Sequence, residues 1–332
     1  MKLYIPDYYD AFSCVASACP DSCCKEWEVD VDEASAAYYR TLDGALGDRL
    51  RQVLRDTPDG TMMTIENGRC PMWLDNGLCR IQSELGHDAL CTICRQYPRL
   101  VHDFGDFQEY GLELSCPEAA RLILESEKCV FSCKTSSENA LANYDAALMQ
   151  ILRHSRQKAL DILDDPSYCV CQALTLVLLY AHCVQQQLDG GEEVIFDPEK
   201  ALETAKAIRA QGSLSAIYDF FLDLEILTQR WENKLKTASG VCRFSQVHRA
   251  LARYFVLRYW LQACFDFDLV SRAKLAVTAC LLNASLDGDP IENAQLFSKE
   301  IENDPDNLDA VLDAAYTSPA FTDAALLHLL SN

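Results

Sequence analysis

Cysteines are the residues of this chain whose number and spacing could do chemistry. The sequence contains 17 cysteines, and eleven of them fall within the first 133 residues. The first group is Cys14-x4-Cys19-x3-Cys23-Cys24, and the second consists of Cys70, Cys79, Cys91, Cys94 and Cys116. Thiolates are soft ligands, and grouped cysteines in an intracellular chain most often bind zinc or an iron–sulfur cluster. The spacing therefore predicts a metal centre in the N-terminal part of the chain.

The number of thiols bears on which metal they bind. A structural zinc site usually takes two ligand pairs of short spacing, which Cys19/Cys23 and Cys91/Cys94 could supply. The nine cysteines of the two groups exceed what one tetrahedral zinc needs, and histidines are scarce in this region. An all-thiolate [4Fe–4S] cluster fits this inventory better, with a second cluster or a zinc ion beside it as an open alternative.

The N-terminus bears on the redox environment of these thiols. Residues 1–7 contain no sustained apolar segment, because Pro6 and Asp7 interrupt it, so no secretory signal is expected. We therefore expect a reducing, cytoplasmic location, which disfavours a disulfide framework. The odd number of cysteines agrees, since 17 thiols cannot all pair within one chain.

Charge and hydropathy argue against two classes of partner. The formal net charge of −21 is spread along the chain and repels nucleic-acid phosphates and anionic lipid. Residues 166–188 carry no charged side chain and are long enough to cross a bilayer, but Gln172, His182 and three consecutive glutamines interrupt the apolar run. We expect no nucleic-acid partner and no membrane span, and a helix buried in the core at this position.

Familiar catalytic motifs are missing. The radical S-adenosylmethionine pattern C-x3-C-x2-C is not met, because Glu26 stands where a third cysteine would follow Cys19 and Cys23. The sequence has no glycine-rich dinucleotide loop, no Walker loop, and no G-x-S-x-G or H-E-x-x-H segment. From the residues alone, the expectation is a two-domain protein with a cysteine-ligated metal centre.

The elements expected to position the cysteines are mainly helical. Residues 1–135 are predicted to form a cysteine-rich, metal-binding domain that contains a small β-hairpin, with strands at 100–104 and 107–114. Residues 136–332 show amphipathic helical periodicity and are predicted to form an all-helical domain.

Three local signals refine this picture. Asp32 is a predicted N-cap for a helix that begins at Glu33. The tight-turn sequence at 75–77 could bring Cys70 and Cys79 together. Pro117 indicates that Cys116 lies at a helix N-terminus, where unpaired amides favour thiolate, so this cysteine is expected to ionise readily.

Longer motifs resemble one known family. The segments concerned are Phe12-Ser13-Cys14-x4-Cys19-x3-Cys23-Cys24-Lys25-x-Trp27, Cys70-Pro71-x2-Leu74-Asp75-x-Gly77-Leu78-Cys79, Leu90-x3-Cys94-Arg95-x-Tyr97-Pro98-Arg99, Ser115-Cys116-Pro117-Glu118-Ala119-Ala120-Arg121, Tyr254-Phe255-Val256-x-Arg258-Tyr259 and Asp268-Leu269-x-Ser271-Arg272-x-Lys274-Leu275-Ala276. Together they resemble the flagellin lysine-N-methylases over most of the chain. The cysteine-rich part is also similar to the wider group of zinc- or iron-chelating CxxxCxxCC proteins.

The resemblance implies ε-N-methylation of surface lysines on flagellin, with S-adenosylmethionine as methyl donor and a required [4Fe–4S] cluster. Cys91 lies outside the family pattern, which leaves eight candidate metal ligands: Cys14, Cys19, Cys23, Cys24, Cys70, Cys79, Cys94 and Cys116. Four suffice for one cluster, and which four stays open. The alternative is a non-catalytic protein that binds zinc or iron through cysteines and a partner through its helical domain.

Residues near the cysteines could bind the methyl donor. The aromatic candidates are Trp27, Trp73, Tyr97 and Tyr110, because aromatic rings attract sulfonium and ammonium groups. Their alternative role is packing around the cluster. Arg95 and Arg99 could hold the donor's carboxylate or neutralise an anionic cluster. The sequence identifies no catalytic residue.

Overall fold

Strands in this computed structural model are confined to the N-terminal part of the residues that it describes, which are 1–137, 140–208 and 211–331. Their bounds are β1 Lys2–Pro6, β2 Val29–Val31, β3 Leu54–Thr57, β4 Gly60–Met63, β5 Arg99–Asp103, β6 Phe107–Leu112 and β7 Phe131–Thr135. The residues left outside this description (138, 139, 209, 210 and 332) all fall in the predicted helical domain.

Helices form most of the fold, as predicted. Those before residue 137 are α1 Asp7–Ala11, α2 Glu33–Thr41, α3 Gly44–Val53, α4 Arg80–Leu85, α5 Thr92–Gln96 and α6 Pro117–Leu124. Those after it are α7 Ala146–Asp164, α8 Val170–Leu188, α9 Pro198–Ala207, α10 Leu214–Leu222, α11 Gln229–Thr237, α12 Gln246–Tyr259, α13 Ala263–Asp266, α14 Val270–Ser285, α15 Pro290–Phe297, α16 Pro305–Thr317 and α17 Asp323–Ser331. A π-helical turn, Ser298–Glu302, continues α15.

The predicted hairpin is present but belongs to a larger sheet. Strands β5 and β6 pair antiparallel, with Val101 opposite Tyr110. Strand β1 lies parallel to β6 and antiparallel to β7, so the sheet has the order β5-β6-β1-β7. A second, three-stranded antiparallel sheet has the order β2-β4-β3. The cysteine-rich region therefore contains more strand than the sequence predicted.

Two hydrophobic cores divide the buried residues. The small core lies under the second sheet and consists of Val29, Val31, Ala36, Tyr39, Leu46, Leu50, Val53, Met63, Cys70, Met72, Ile81, Leu90 and Cys91. The large core joins the first sheet and α6 to the C-terminal helices, so that Phe107 and Phe255 belong to the same cluster. Packing thus crosses residue 135, and the division of the chain into domains there stays a prediction.

Helix α14 is the centre of the helical part. All of its residues are buried, and it packs against α8, α12 and α16. The apolar segment that begins at residue 166 forms α8, whose buried face includes Leu174 and Leu178, which confirms the predicted core helix. Among the residues that the structure describes, no helix is both long and apolar enough to cross a bilayer.

Candidate metal centre and adjoining cleft

A backbone hydrogen bond connects the first cysteine group to the second. The amide of Cys70 donates to the carbonyl of Cys24 at 2.7 Å. The tight turn between Cys70 and Cys79 forms as predicted, because Leu74 N donates to Leu78 O at 2.8 Å and Gly77 adopts a φ of +81°. Gly77 also packs against the loop that carries the first group. A Cβ there would lie 3.2 Å from the Cα of Ser17, so a side chain would push the two groups apart.

Four thiols form a first set, consisting of Cys14, Cys19, Cys23 and Cys116. They lie close enough to influence one another's charge: a hydrogen bond to Cys24 and burial raise the pKa of Cys23, and charge on Cys14 and Cys116 adds to this. Burial chiefly raises the pKa of Cys19, with a further contribution from Cys14. Clustered thiols raise one another's pKa in this way, because neighbouring thiolates repel each other until a cation neutralises their charge.

Cys116 has its predicted place but not its predicted acidity. It lies at the N-terminus of α6, and the amides of Glu118 and Ala119 favour its thiolate. Burial outweighs them and raises the pKa of Cys116 to about 11, with charge on Cys19 and Cys14 adding to the effect. The expectation that this thiol ionises readily by itself is therefore wrong, because desolvation raises the pKa of Cys116 by more than the amides at the helix N-terminus lower it.

Five thiols form a second set, consisting of Cys24, Cys70, Cys79, Cys91 and Cys94. Hydrogen bonds from Cys23 and Cys70 lower the pKa of Cys24 to about 3. A hydrogen bond from Cys94 lowers the pKa of Cys91 to about 7. Cys91, which the resemblance left out of the ligand set, thus lies among the candidate ligands, and its C-x2-C spacing with Cys94 was the signal for it.

The donor set suits a thiolate-bound metal in its chemistry. The two sets contain only sulfur donors, and some of them already favour the thiolate that iron–sulfur clusters and zinc require. As they stand, no three cysteine, histidine, aspartate or glutamate side chains within residues 1–137, 140–208 and 211–331 are grouped tightly enough to hold one metal ion. The individual ligand assignments stay predictions.

Lys299, in the π-helical turn, connects the helical part of the molecule to the loop between Cys19 and Trp27, called the cysteine loop below. The side chain of Lys299 is 1% exposed and forms ion pairs with Asp21 at 3.1 Å and Glu26 at 2.7 Å. Gln295, one turn earlier, donates to Asp21 at 3.0 Å and to the Ser115 carbonyl at 2.9 Å. These contacts tie the loop between Cys19 and Trp27 to the π-helical turn and to the start of α6.

A cleft of about 420 Å³ opens beside the thiols. Its lining includes Cys23 and Cys94, one from each set, together with Trp27, Tyr97 and Arg99. The rings of Trp27 and Tyr97 meet edge to face with centroids 5.9 Å apart. The structure therefore brings three of the predicted cofactor-binding residues together next to two predicted metal ligands.

The other candidates for donor binding lie elsewhere. Trp73 packs beneath two cations, with Lys25 at 5.3 Å and Arg69 at 5.4 Å from its ring centre. Arg95 is exposed on α5 and does not line the cleft. Tyr110 lies on β6, where its hydroxyl donates to Gln108 at 3.2 Å. Their roles stay predictions that the cleft does not support.

The buried carboxylate of Glu302 lies at the floor of the cleft. The side chain of Glu302 is fully buried and accepts hydrogen bonds from Tyr254 at 3.2 Å and Tyr259 at 2.8 Å. Arg258 lies 3.3 Å from the same carboxylate. The motif at 254–259 therefore serves this floor, and sequence reasoning missed Glu302 itself because no spacing rule links it to that motif.

Carboxylates outnumber cations around the cleft. Glu28, Asp30, Glu113 and Glu302 line it, and Arg99 is the basic residue among the lining residues. Glu113 is half-buried between the exposed rim and the floor. Burial raises the pKa of Glu113, charge on Glu302 adds to this, and Arg258 opposes it. The arrangement favours a cationic ligand with an apolar stem.

Comparison with known proteins relates the chain to a flagellar biosynthetic protein. It is 30% identical over 126 residues to the flagellar biosynthetic protein FliU of Salmonella muenchen, which covers 36% of this chain and 75% of that protein. The chain belongs to the flagellin lysine-N-methylase-like family. The resemblance seen in the cysteine motifs is thereby confirmed.

Two longer relatives carry the methylase name. Identity is 29% over 138 residues with the lysine-N-methylase of Salmonella typhimurium, and 30% over 138 residues with that of Salmonella choleraesuis. Each alignment covers 39% of this chain but spans only 34% of the relative's length. No family model and no solved structure matches the chain.

Proposed function

We propose that the chain is a protein-lysine N-methyltransferase that modifies surface lysines of flagellin in the cytoplasm, with S-adenosylmethionine as methyl donor and a [4Fe–4S] cluster. The observation that carries this proposal is the acidic, aromatic cleft beside Cys23 and Cys94. It occurs in a chain whose relatives are named lysine-N-methylase and FliU. Nucleic acid is not a partner in this proposal, since the net charge of −21 repels it.

The chemistry of methyl transfer matches what the cleft offers. A lysine amine has a pKa of roughly 10.4, so it arrives as an ammonium ion and must lose a proton before it can attack a methyl sulfonium. The face of the Tyr97 ring can attract either cation, and Trp27, which already has Lys299 Nζ 4.9 Å from its ring centre, adds apolar surface beside it. The surplus of carboxylates stabilises the bound positive charge, and the partly buried walls limit screening by water.

The first thiol set is our choice for the cluster. Cys14, Cys19, Cys23 and Cys116 supply the four thiolates that one [4Fe–4S] cluster needs, and their mutual effects on ionisation support their proximity. When bound, the cluster offers an electron carrier and a covalent link between the loop and α6. Lys299 stabilises the loop by pairing with its carboxylates.

The test is the mass of flagellin co-expressed with this chain. Wild type should add methyl groups to flagellin lysines, whereas Cys23→Ser should leave flagellin unmodified. Cys169→Ser is the matched control, because this exposed thiol lies outside both sets, and it should retain activity. A colourless zinc protein that leaves flagellin unmodified would instead support the non-catalytic, metal-binding alternative with a helical partner-binding domain.

A further inference from the structure

Glu113 is a half-buried carboxylate of the cleft that lacks a cationic partner, whereas Glu28 and Asp30 are exposed to solvent and Glu302 pairs with Arg258. Within the described residues, its side chain accepts a hydrogen bond from Ser115 Oγ at 3.4 Å, and no lysine or arginine lies within ion-pair distance. Ser115 Oγ also lies 3.1 Å from the Tyr97 hydroxyl. A buried or half-buried carboxylate without a partner is costly, so this position favours a ligand that brings positive charge.

The charged groups near Glu113 already form ion pairs, hydrogen bonds or ring contacts with other residues. Glu302 is held by Arg258 and two tyrosine hydroxyls on the floor of the cleft. Lys299 pairs with two carboxylates of the cysteine loop. The guanidinium of Arg99 lies over two aromatic rings, at 5.1 and 5.5 Å from their centres. None of these groups forms an ion pair with Glu113, and the charge of Arg258 acts on it only at longer range.

We infer that Glu113 binds the ε-ammonium group of the target lysine, whose methylene stem packs against Trp27 and Tyr97. This inference rests on the proposed function, because it names the residue that receives the side chain to be methylated. At the rim, Glu28 and Asp30 are exposed, so they attract a lysine-bearing segment without desolvating it.

The hydrogen-bonding groups decide between the two cations of the reaction. An ammonium ion has three N–H donors and needs acceptors, whereas a methyl sulfonium has none. Glu113 and Tyr97 both line the cleft and provide oxygen acceptors, and Ser115 Oγ lies between them, where it donates to the Glu113 carboxylate. These acceptors fit an ammonium rather than a sulfonium, and the aromatic walls formed by Trp27 and Tyr97 fit the methylene stem of lysine better than the α-ammonium group of S-adenosylmethionine.

The experiment compares the binding of two peptides, so it needs no turnover. One is a flagellin peptide with a single surface lysine, and the other carries norleucine, which keeps the stem and lacks the ammonium. Wild type should prefer the lysine peptide by about ten- to a hundred-fold, the range for a charge-assisted hydrogen bond. In Glu113→Gln this preference should nearly vanish, and in Glu113→Asp it should be partly retained.

The control is Glu203→Gln, which changes an exposed glutamate on α9 that is not among the residues lining the cleft, and it should keep the wild-type preference. Circular dichroism and iron content verify that each variant is folded. An undiminished lysine preference in folded Glu113→Gln overturns the inference, as does a selective loss of S-adenosylmethionine affinity. Wild type that prefers the lysine peptide but transfers no methyl group would reject the proposed reaction and leave Glu113 as a lysine-binding residue.

Discussion

The small core and the large core differ in the types of side chain that fill them. In the small core, buried Cys70 and Cys91 take positions that aliphatic side chains fill elsewhere, and Cys24 and Cys79 pack against them. The large core relies on aromatic and aliphatic side chains such as Phe255 and Leu281. A core whose packing groups are also candidate ligands couples its stability to metal binding, whereas an apolar core is stable by itself.

The sharpest way to break this comparison is to remove a predicted cluster ligand. Cys23→Ser and Cys116→Ser should each lose most of the iron of the anaerobically purified protein, because serine is a poor ligand for iron–sulfur clusters. Helical content should remain near that of wild type, since Cys23 lies outside both cores and Cys116 is one small side chain among the many that form the large core. Iron analysis and far-UV circular dichroism measure the two effects.

Exposed Cys169 provides the control for both variants. Cys169→Ser should keep its iron, which separates ligand loss from general thiol chemistry. Full iron loading in both Cys23→Ser and Cys116→Ser would refute the assignment of the first set.

The contact between the two parts can be tested at Lys299. Lys299→Met removes a buried cation and leaves Asp21 and Glu26 without their partner, which should cost about 3–5 kcal/mol in the free energy of unfolding. The cysteine loop should also bind iron less tightly, because its carboxylates then repel an anionic cluster. Denaturant unfolding and iron retention under a chelator give the two measurements.

Lys236→Met is the matched control, because Lys236 pairs with Glu232 on the surface of α11. Its loss should cost about 0–1 kcal/mol and leave the iron unaffected. Equal effects of the two substitutions would show that Lys299 does not link the helical part to the cysteine loop.

Local signals were enough to predict several elements of the fold. Asp32 caps α2 as expected, with Ser35 N donating to its carboxylate at 3.0 Å. Pro117 begins α6, and the turn at Gly105 joins β5 to β6. Each of these features depends on residues within a few positions of one another, where backbone preferences act directly.

Features that depend on distant residues could not be predicted. Strand β1 pairs with β6, about a hundred residues later in the chain, and no local pattern encodes that register. Glu302 reaches a cleft whose thiols and aromatics lie near the N-terminus. The pKa of Cys116 depends on burial by the large core, which a helix-terminus rule does not include.

The smallest predicted effect is the loss of stability when a helix cap is removed, and it can be compared between one cap in the cysteine-rich part and one in the helical part. Asp32 accepts hydrogen bonds from Ser35 N and from Thr92 N at 2.8 Å, so it joins α2 to α5, which carries Cys94. Asp304 caps α16 through Asn307 N at 3.1 Å. Each change to alanine should cost about 1 kcal/mol, with Asp32→Ala the larger because it leaves two amides without an acceptor.

The pH dependence of this cost distinguishes the caps. Hydrogen bonds from Thr92 and Ser35 hold the pKa of Asp32 well below its usual range. Its contribution is therefore fully present above the unfolded-state pKa of roughly 3.9 and is lost as the pH falls through the lower folded-state pKa. The stability difference between wild type and Asp32→Ala should stay constant from neutral pH to about pH 5 and shrink below pH 4. Calorimetry over this range measures it, and a difference that grows on acidification would contradict the contact between Asp32 and Thr92.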